Sequence, residues 1–171
     1  MWVTVAAMSV TDRLLANAET YAAGFDKGAL PLPPALGVAV LACMDARLNV
    51  YGLLGLSEGD AHVIRNAGGV VTADERRSLA ISQRLLGTTE IILIHHTDCG
   101  MVTFTDDGLK ESIRAETGLR PDWSAEAFPD AEEDVRQSIG RILADPFIPR
   151  KESVRGFVYE VETGRLREVK A

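Results

Sequence analysis

The sequence predicts a three-layer α/β domain with a mostly parallel central sheet. Predicted strands and helices alternate along the 171 residues, which is typical of parallel strands joined by crossover helices. The strands are nearly continuous apolar runs, which indicate burial on both faces. A hairpin signal near the C-terminus adds one antiparallel strand. Since no repeat, low-complexity segment or long linker divides the chain, we expect one domain over residues 1–171.

The first predicted element is an amphipathic helix over residues 11–23. This segment is rich in helix formers, Ser9 or Thr11 suits the N-cap, and Gly24 suits the end. Residues 1–8 are expected to be an N-terminal extension without a structural role. They lack the basic flank and the length of a signal peptide or a membrane span, so we expect a cytoplasmic protein with reduced cysteines.

Three apolar runs predict the buried strands, at Leu36–Ala42, Ala61–Arg65 and Glu90–His95. The first run follows Pro31–Pro34, which cannot lie inside a helix. Helical patterns separate and follow the strands at residues 47–56, 73–86, 107–117 and 130–144.

Two segments near the C-terminus complete the predicted fold. Residues 118–131 contain two prolines and no clear periodicity, and we expect a surface loop there. Residues 153–161 and 165–170 flank Thr163-Gly164, a turn signal that predicts the closing hairpin.

Composition excludes several classes of function. With 18 Lys+Arg against 25 Asp+Glu, the formal net charge is −7, and the basic residues are scattered, so nucleic-acid binding is not expected. The glycine motifs that bind nucleotide phosphates do not follow any predicted strand. Two cysteines and three histidines cannot form a disulfide framework, so any chemistry that they carry must converge on one site.

Polar residues follow each of the three buried strands. The segments are Cys43–Arg47, Arg65–Gly69 and His95–Gly100. Ligands bind outside the carboxyl ends of parallel strands, so neighbouring strands would bring these segments together. Both cysteines of the chain lie in these segments.

Two cysteines and one histidine form a known zinc ligand set that leaves the fourth tetrahedral position open. His96 and Cys99 are three residues apart and can bind one ion from a single turn, whereas Cys43 joins them only through the sheet topology. From spacing alone, buried inert thiols are an equal alternative. Periodicity does not choose between His95 and His96, because neighbours on a strand point to opposite faces. His62, at the far end of its strand, is expected to be structural.

Other polar residues near these strand ends have ordinary explanations. Asp45 and Arg47 face each other only in an irregular turn, and their simplest roles are an N-cap and an exposed side chain. Asp98 is most simply a turn residue, and Arg65 a partner for a neighbouring carboxylate.

Taken together, these segments resemble the β-class carbonic anhydrases. Cys43–Arg47 matches the C-x-D-x-R motif of that family, and His96–Cys99 matches its H-x-x-C motif. The stretches HVIRNAGG (His62–Gly69) and HHTDCGM (His95–Met101) are similar to the short bacterial branch. The likeness runs from about residue 9 to the C-terminus.

The resemblance implies roles for individual residues. One Zn²⁺ per chain would be bound by Cys43, His96 and Cys99. The catalytic dyad would be Asp45 and Arg47. Gly68 and Gly69 most simply permit a positive φ in their loop, although glycine also lets the backbone approach a ligand closely. We expect the substrate-binding residues to be Gly68, Gly69 and Gly100.

The implied activity is the reversible hydration of CO2 to bicarbonate and a proton, the reaction of a carbonate dehydratase, which is a lyase. Zinc lowers the pKa of a bound water, so hydroxide is available near neutral pH to attack CO2. Asp45, kept ionised by Arg47, would accept the hydrogen bond of that hydroxide. The resemblance also implies four parallel strands with one antiparallel edge strand, and a homodimer or higher homo-oligomer. No nucleic-acid or membrane partner is expected.

Two alternatives remain open at the level of sequence. The same zinc site would serve a hydrolase of carbonyl sulfide or carbon disulfide. A non-catalytic zinc or redox-sensing module would use Cys43 and Cys99 as a thiol pair, but that leaves the Asp45–Arg47 pair unexplained.

Overall fold

A computed structural model of the chain describes residues 8–170. The described residues form two compact units, one that ends at Leu30 and one that begins at Pro31. Apart from Met8, the expected N-terminal extension lies outside the described residues. Within the described range, no helix is long and apolar enough to cross a membrane.

The helices and strands follow the predicted order. The α-helices are α1 (Val10–Ala23), α2 (Val50–Leu54), α3 (Ala73–Leu86), α4 (Asp106–Thr117) and α5 (Ala131–Ala144). The strands are β1 (Val38–Cys43), β2 (Ala61–Asn66), β3 (Glu90–His96), β4 (Ser153–Tyr159) and β5 (Leu166–Val169). A 3₁₀ turn lies at Gly100–Val102.

Helix α1 begins at a capping box. The Ser9 hydroxyl accepts the Asp12 backbone N–H at 3.1 Å, and the Asp12 carboxylate accepts the Ser9 backbone N–H at 3.0 Å. These bonds satisfy two of the N–H groups that a helix start leaves unpaired. Of the two predicted N-caps, Ser9 is therefore the one used, and the helix ends at Gly24 as expected.

The sheet has four parallel strands and one antiparallel edge strand, in the order β2-β1-β3-β4-β5. Strand β1 pairs in parallel with β2 and β3, β3 pairs in parallel with β4, and β5 is antiparallel to β4. In this register Cys43 is opposite Asn66, and Ala42 is opposite Ile94. The central strands therefore end at nearly the same level, and the loops that follow them converge.

The two faces of the sheet carry separate hydrophobic cores. On one face, Ala39 and Leu41 of β1 pack in a cluster with residues of α3 and α5. On the other face, Val40 and Ala42 pack in a cluster with residues of α2. Because both faces of β1 are covered, its sequence is apolar without alternation.

Helix α2 is shorter than the helix predicted over residues 47–56. The Asp45 carboxylate accepts the Arg47 backbone N–H at 2.8 Å, which folds the preceding residues into a turn. The Asn49 side chain then caps the helix by accepting a backbone N–H three residues later. The helix therefore cannot begin before Val50, and Arg47 stays outside it.

The loop between α4 and α5 contains no helix or strand, as predicted, but it is not entirely a surface loop. Asp106, at the start of α4, accepts the Ser124 hydroxyl at 2.7 Å and the Ala127 backbone N–H at 2.8 Å. Phe128 is buried, with its ring centroid 5.4 Å from that of His95. The prediction of a surface loop is wrong at Phe128, because its ring fills the space beside the sheet.

Candidate metal centre

The structure brings Cys43, His96 and Cys99 together at the carboxyl ends of the central strands. One ligand atom from each residue lies within 4.8 Å of the others, and all three residues are buried. Cys43 ends β1, His96 ends β3, and Cys99 precedes the 3₁₀ turn. Adjacent parallel strands that end at one level produce this cluster from residues more than fifty positions apart in sequence.

The orientation of the two neighbouring histidines distinguishes them. His96 Nδ1 lies 2.8 Å from the Thr97 carbonyl oxygen, which can only accept, so Nδ1 carries a proton, and in the neutral imidazole Nε2 is then the nitrogen that offers a lone pair to a metal. That Nε2 lies 3.2 Å from the Cys43 sulfur. His95 points to the opposite face, where its Nε2 lies 2.7 Å from Asp134 Oδ2. The strand alternation therefore places only His96 beside the thiols.

The two thiols share their protons unequally. A hydrogen bond from Cys99 lowers the pKa of Cys43, with a smaller contribution from His96, and the same bond raises the pKa of Cys99. A second thiolate beside the first is disfavoured by burial and by charge repulsion. A divalent cation would remove both penalties, because it neutralises two thiolates at once. The charge balance of the donor set thus fits a metal such as Zn²⁺.

Asp45 is an ionised carboxylate at the edge of the cluster. Arg47 donates to both of its oxygens, from Nε to Oδ1 at 3.0 Å and from Nη2 to Oδ2 at 2.8 Å. The Arg47 side chain, followed by its backbone N–H, holds the pKa of the Asp45 carboxyl well below its usual range. Asp45 Oδ2 lies 3.7 Å from His96 Nε2. The cluster therefore has a permanent negative charge beside it.

Asp98 binds the other side of the same guanidinium. Arg47 Nη1 donates to Asp98 Oδ2 at 2.7 Å, and Nη2 donates to the Asp98 carbonyl at 3.0 Å. The sequence indicated only a turn residue here, and the turn is present, with φ of 55° at Asp98. The sequence does not predict its contact with Arg47, because it shows only that a polar residue lies between His96 and Cys99.

Arg65 supports the backbone of the segment after β1. Its guanidinium donates to the Cys43 carbonyl, from Nε at 2.9 Å and from Nη2 at 2.5 Å, and to the Asp45 carbonyl at 2.8 Å. The sequence favoured a carboxylate partner, but the acceptors are backbone carbonyls. Arg65 thus fixes the loop that presents both Cys43 and Asp45.

His62 lies away from the cluster. It is the second residue of β2, at the end of the strand opposite to the cluster, and its Nδ1 lies 2.8 Å from the Ser82 hydroxyl. This contact ties β2 to α3, in keeping with the expected structural role.

A cavity of about 310 Å³ opens beside the cluster. Besides Cys43, His96, Cys99 and Asp45, its lining includes Met44, Ala67, Gly68, Gly100, Met101, Thr103 and Phe104. Gly69 is not among the lining residues. A Cβ atom at Gly69 would lie 2.9 Å from the Cys43 nitrogen and 3.0 Å from the Ile94 oxygen, so this glycine allows close packing of the loop on the sheet.

Comparisons with known proteins agree with the geometry of this site. The carbonic anhydrase family model matches residues 38–166. β-Carbonic anhydrase 1 of Mycobacterium tuberculosis is 65% identical over 162 residues, covering 95% of this chain and 99% of that protein. The crystal structure of carbonic anhydrase from Streptococcus mutans matches with a TM-score of 0.89 and 43% identity, covering 95% of this chain and 99% of that chain. A carbon disulfide hydrolase of Saccharolobus solfataricus is 36% identical over 153 residues, covering 75% of each chain. The chain therefore belongs to the β-carbonic anhydrase family and is an enzyme.

Proposed function

We propose that the chain catalyses the reversible hydration of CO2 to bicarbonate and a proton, with one Zn²⁺ bound by Cys43, His96 and Cys99. The observation that carries this proposal is the buried cluster of three ligand atoms with the ionised Asp45 beside it. Two thiolates and an imidazole leave a fourth position for a small molecule, as in catalytic rather than structural zinc sites.

Zinc bound there would supply a hydroxide nucleophile at neutral pH, because it lowers the pKa of a water ligand. Asp45 would accept the hydrogen bond of that hydroxide and so orient the hydroxide lone pair toward the carbon of CO2. The carboxylate must be ionised to do so, and Arg47 keeps it ionised through bonds to both oxygens. Arg47 also limits the rotation of Asp45, so the acceptor atom is already oriented when the substrate arrives.

The cavity suits a small neutral substrate. Met101 and Phe104 provide an apolar wall, and the glycines Gly68 and Gly100 bring the backbone close to the open side of the cluster. Apolar walls exclude water, which would otherwise compete for the hydrogen bonds of the site. We propose Gly68 and Gly100 as substrate contacts, whereas the same role for Gly69 stays a prediction from the sequence.

We also propose a single catalytic domain in a cytoplasmic homodimer or higher homo-oligomer, with CO2 and bicarbonate as its small-molecule partners. Two unpaired cysteines in the site support a reducing compartment, because oxidation would remove two ligands. Sedimentation of the purified protein tests the assembly, and a monomer at micromolar concentration would contradict it.

The activity is tested on one preparation assayed for zinc and for turnover. We expect one zinc per chain and CO2 hydration in a stopped-flow indicator assay. Carbon disulfide and carbonyl sulfide serve as competing substrates, since a matched relative is a carbon disulfide hydrolase. Faster hydrolysis of either sulfur compound than hydration of CO2 would assign the hydrolase function instead. Full zinc without turnover of any of the three would indicate a non-catalytic module.

A further inference from the structure

The Arg47 guanidinium is bound on two sides by two loops. From the loop after β1, Asp45 accepts from Nε and Nη2, and from the loop after β3, Asp98 accepts from Nη1 with its carboxylate and from Nη2 with its carbonyl. The two partners use different edges of the planar fork, so they do not compete for the same N–H groups. Arg47 can therefore bind Asp98 without losing either of its hydrogen bonds to Asp45.

The backbone of Asp98 is shaped for this contact. Its φ of 55° lies in the left-handed region, which non-glycine residues rarely adopt, although Asp and Asn tolerate it best. In that conformation the carbonyl and the carboxylate of one residue both reach Arg47. Asp98 also lies between His96 and Cys99, so the turn that carries two of the three candidate ligands holds the arginine as well.

We propose that Asp98 is a positioning residue that holds Arg47 against Asp45 and thereby keeps the Asp45 carboxylate from turning toward the metal cluster. This inference rests on the proposed metal site. Asp45 Oδ2 is 3.7 Å from His96 Nε2, so a small rotation would make it a competing oxygen ligand. Arg47 opposes the rotation only if it is itself held, and the bonds from Asp98 provide that hold.

Because Asp98 is exposed, its positioning role can be tested separately from any contribution to the free energy of unfolding. The Asp98 side chain is 77% exposed and that of Arg47 is 48% exposed. Ion pairs this open to solvent contribute little to the free energy of unfolding. Substitution of Asp98 should therefore leave the unfolding midpoint nearly unchanged while it alters the access of an external ligand to the metal.

Cobalt-substituted protein with azide as the probe tests the proposal. Azide competes with Asp45 for the open position, and visible absorption of Co²⁺ reports its binding. We expect Asp98→Gly, which keeps the left-handed backbone but removes the carboxylate, to weaken azide binding by about fivefold. Asp98→Asn, which keeps both the backbone preference and an acceptor oxygen, should stay within about twofold of the wild type.

Two controls test whether the effect is specific to Asp98 and acts through Arg47. Glu162→Gln removes a carboxylate from the cavity that Arg47 and Asp98 also line, and it should leave azide affinity unchanged. In an Arg47→Ala background, Asp98→Gly should have no further effect, because Asp98 acts through Arg47. If Asp98→Gly does not hold cobalt, Asp98→Ala removes the same bond with a less flexible backbone.

The outcomes are distinct from those for the proposed function. Azide affinity in Asp98→Gly equal to the wild type overturns the positioning role, as does an equal loss in Asp98→Asn and Asp98→Gly. A wild-type protein that binds no cobalt overturns the metal site itself.

Discussion

At the scale of single residues, the central pair is Asp45 and Arg47. Asp45 carries the negative charge, and Arg47 keeps that carboxylate ionised and fixes its orientation. The short turn before α2 makes this possible. Residues two apart on a regular helix face different directions, but Asp45 and Arg47 lie in a turn before α2, because the non-helical N-cap Asn49 starts that helix only at Val50.

Asp45→Asn should leave the metal bound and reduce CO2 hydration by about 10²–10⁴-fold. The amide is isosteric, but it cannot keep the negative charge that accepts the hydrogen bond. Stopped-flow turnover beside metal analysis measures both quantities. Near-normal turnover with full zinc would remove Asp45 from the catalytic machinery.

The candidate ligands are tested by metal content. Cys99→Ala should lower zinc affinity more than about 100-fold, beyond the effect of losing an outer hydrogen-bond partner. His95→Ala is the matched control, because His95 is the neighbour of His96 but faces Asp134. It should lose stability while retaining one zinc per chain. If His95→Ala loses its zinc and His96→Ala keeps it, His95 rather than His96 is the ligand.

The sequence predicts which residues form this site better than it predicts what those residues contact. The conjunction of two motifs, at Cys43–Arg47 and His96–Cys99, gave the candidate ligands and the dyad. The roles of Asp98 and Arg65 could not be read in this way. Both depend on backbone carbonyls, and the contact of Asp98 depends in addition on its left-handed backbone. Backbone groups leave no signature in residue identity.

At the scale of elements, close packing between β4 and α5 depends on one glycine. A Cβ atom at Gly156 would lie 2.2 Å from Val135 Cγ1 and 3.0 Å from Ile139 Cδ1. Gly156→Ala should therefore destabilise the fold by about 1–3 kcal/mol through overpacking, as measured by urea unfolding.

Gly140, in helix α5, provides the control for that substitution. A Cβ atom there meets no neighbour within 4 Å. Gly140→Ala should therefore stabilise the protein by about 0.5–1 kcal/mol through helix propensity. Equal effects of the two substitutions would contradict the packing argument.

The contact between Asp106 and the loop before α5 predicts a pH-dependent stability. Hydrogen bonds from the Ser124 side chain and the Ala127 backbone lower the pKa of Asp106. A lowered pKa stabilises the folded state above the unfolded carboxyl value of about 3.9, and this contribution is lost as pH falls through the lower folded value.

Asp106→Asn should therefore cost about 1–3 kcal/mol at pH 7, and the cost should shrink as pH falls below about 4. Urea unfolding of both proteins at several pH values measures the difference. A difference that does not change with pH would show that the charge of Asp106 is not involved.

Elements with strong patterns agreed with the structure, whereas two features governed by side-chain contacts did not. Helix α3 has a helical pattern that ends at Gly87, and the hairpin has a turn signal at Thr163-Gly164. Helix α2 is shorter than predicted because Asn49, with a non-helical backbone, caps it at Val50. The burial of Phe128 was missed because an irregular loop has no period from which a buried position can be inferred.

At the scale of the whole molecule, strand order creates the site. The sheet places β1 between β2 and β3, so the loops after all three strands meet, although their residues are far apart in sequence. Apolar runs predicted the strands and the rule for strand ends predicted the meeting point. The order of the strands is set by tertiary packing and is not predicted by the sequence; the family resemblance implied only four parallel strands and one antiparallel edge strand.

The net charge of −7 has little bearing on the reaction, because CO2 is neutral and is not steered by the field of the protein. Catalysis thus depends on local charges at the cluster. Weak sensitivity of CO2 hydration to ionic strength would agree with this view.

The rate of CO2 hydration by zinc-replete protein across pH tests the central claim most directly. A nucleophile that forms by deprotonation near neutrality predicts a rate that rises through about pH 7. The rate should fall to the uncatalysed value when a chelator removes the metal. Protein that holds one zinc per chain and does not hydrate CO2 at any pH would contradict the account.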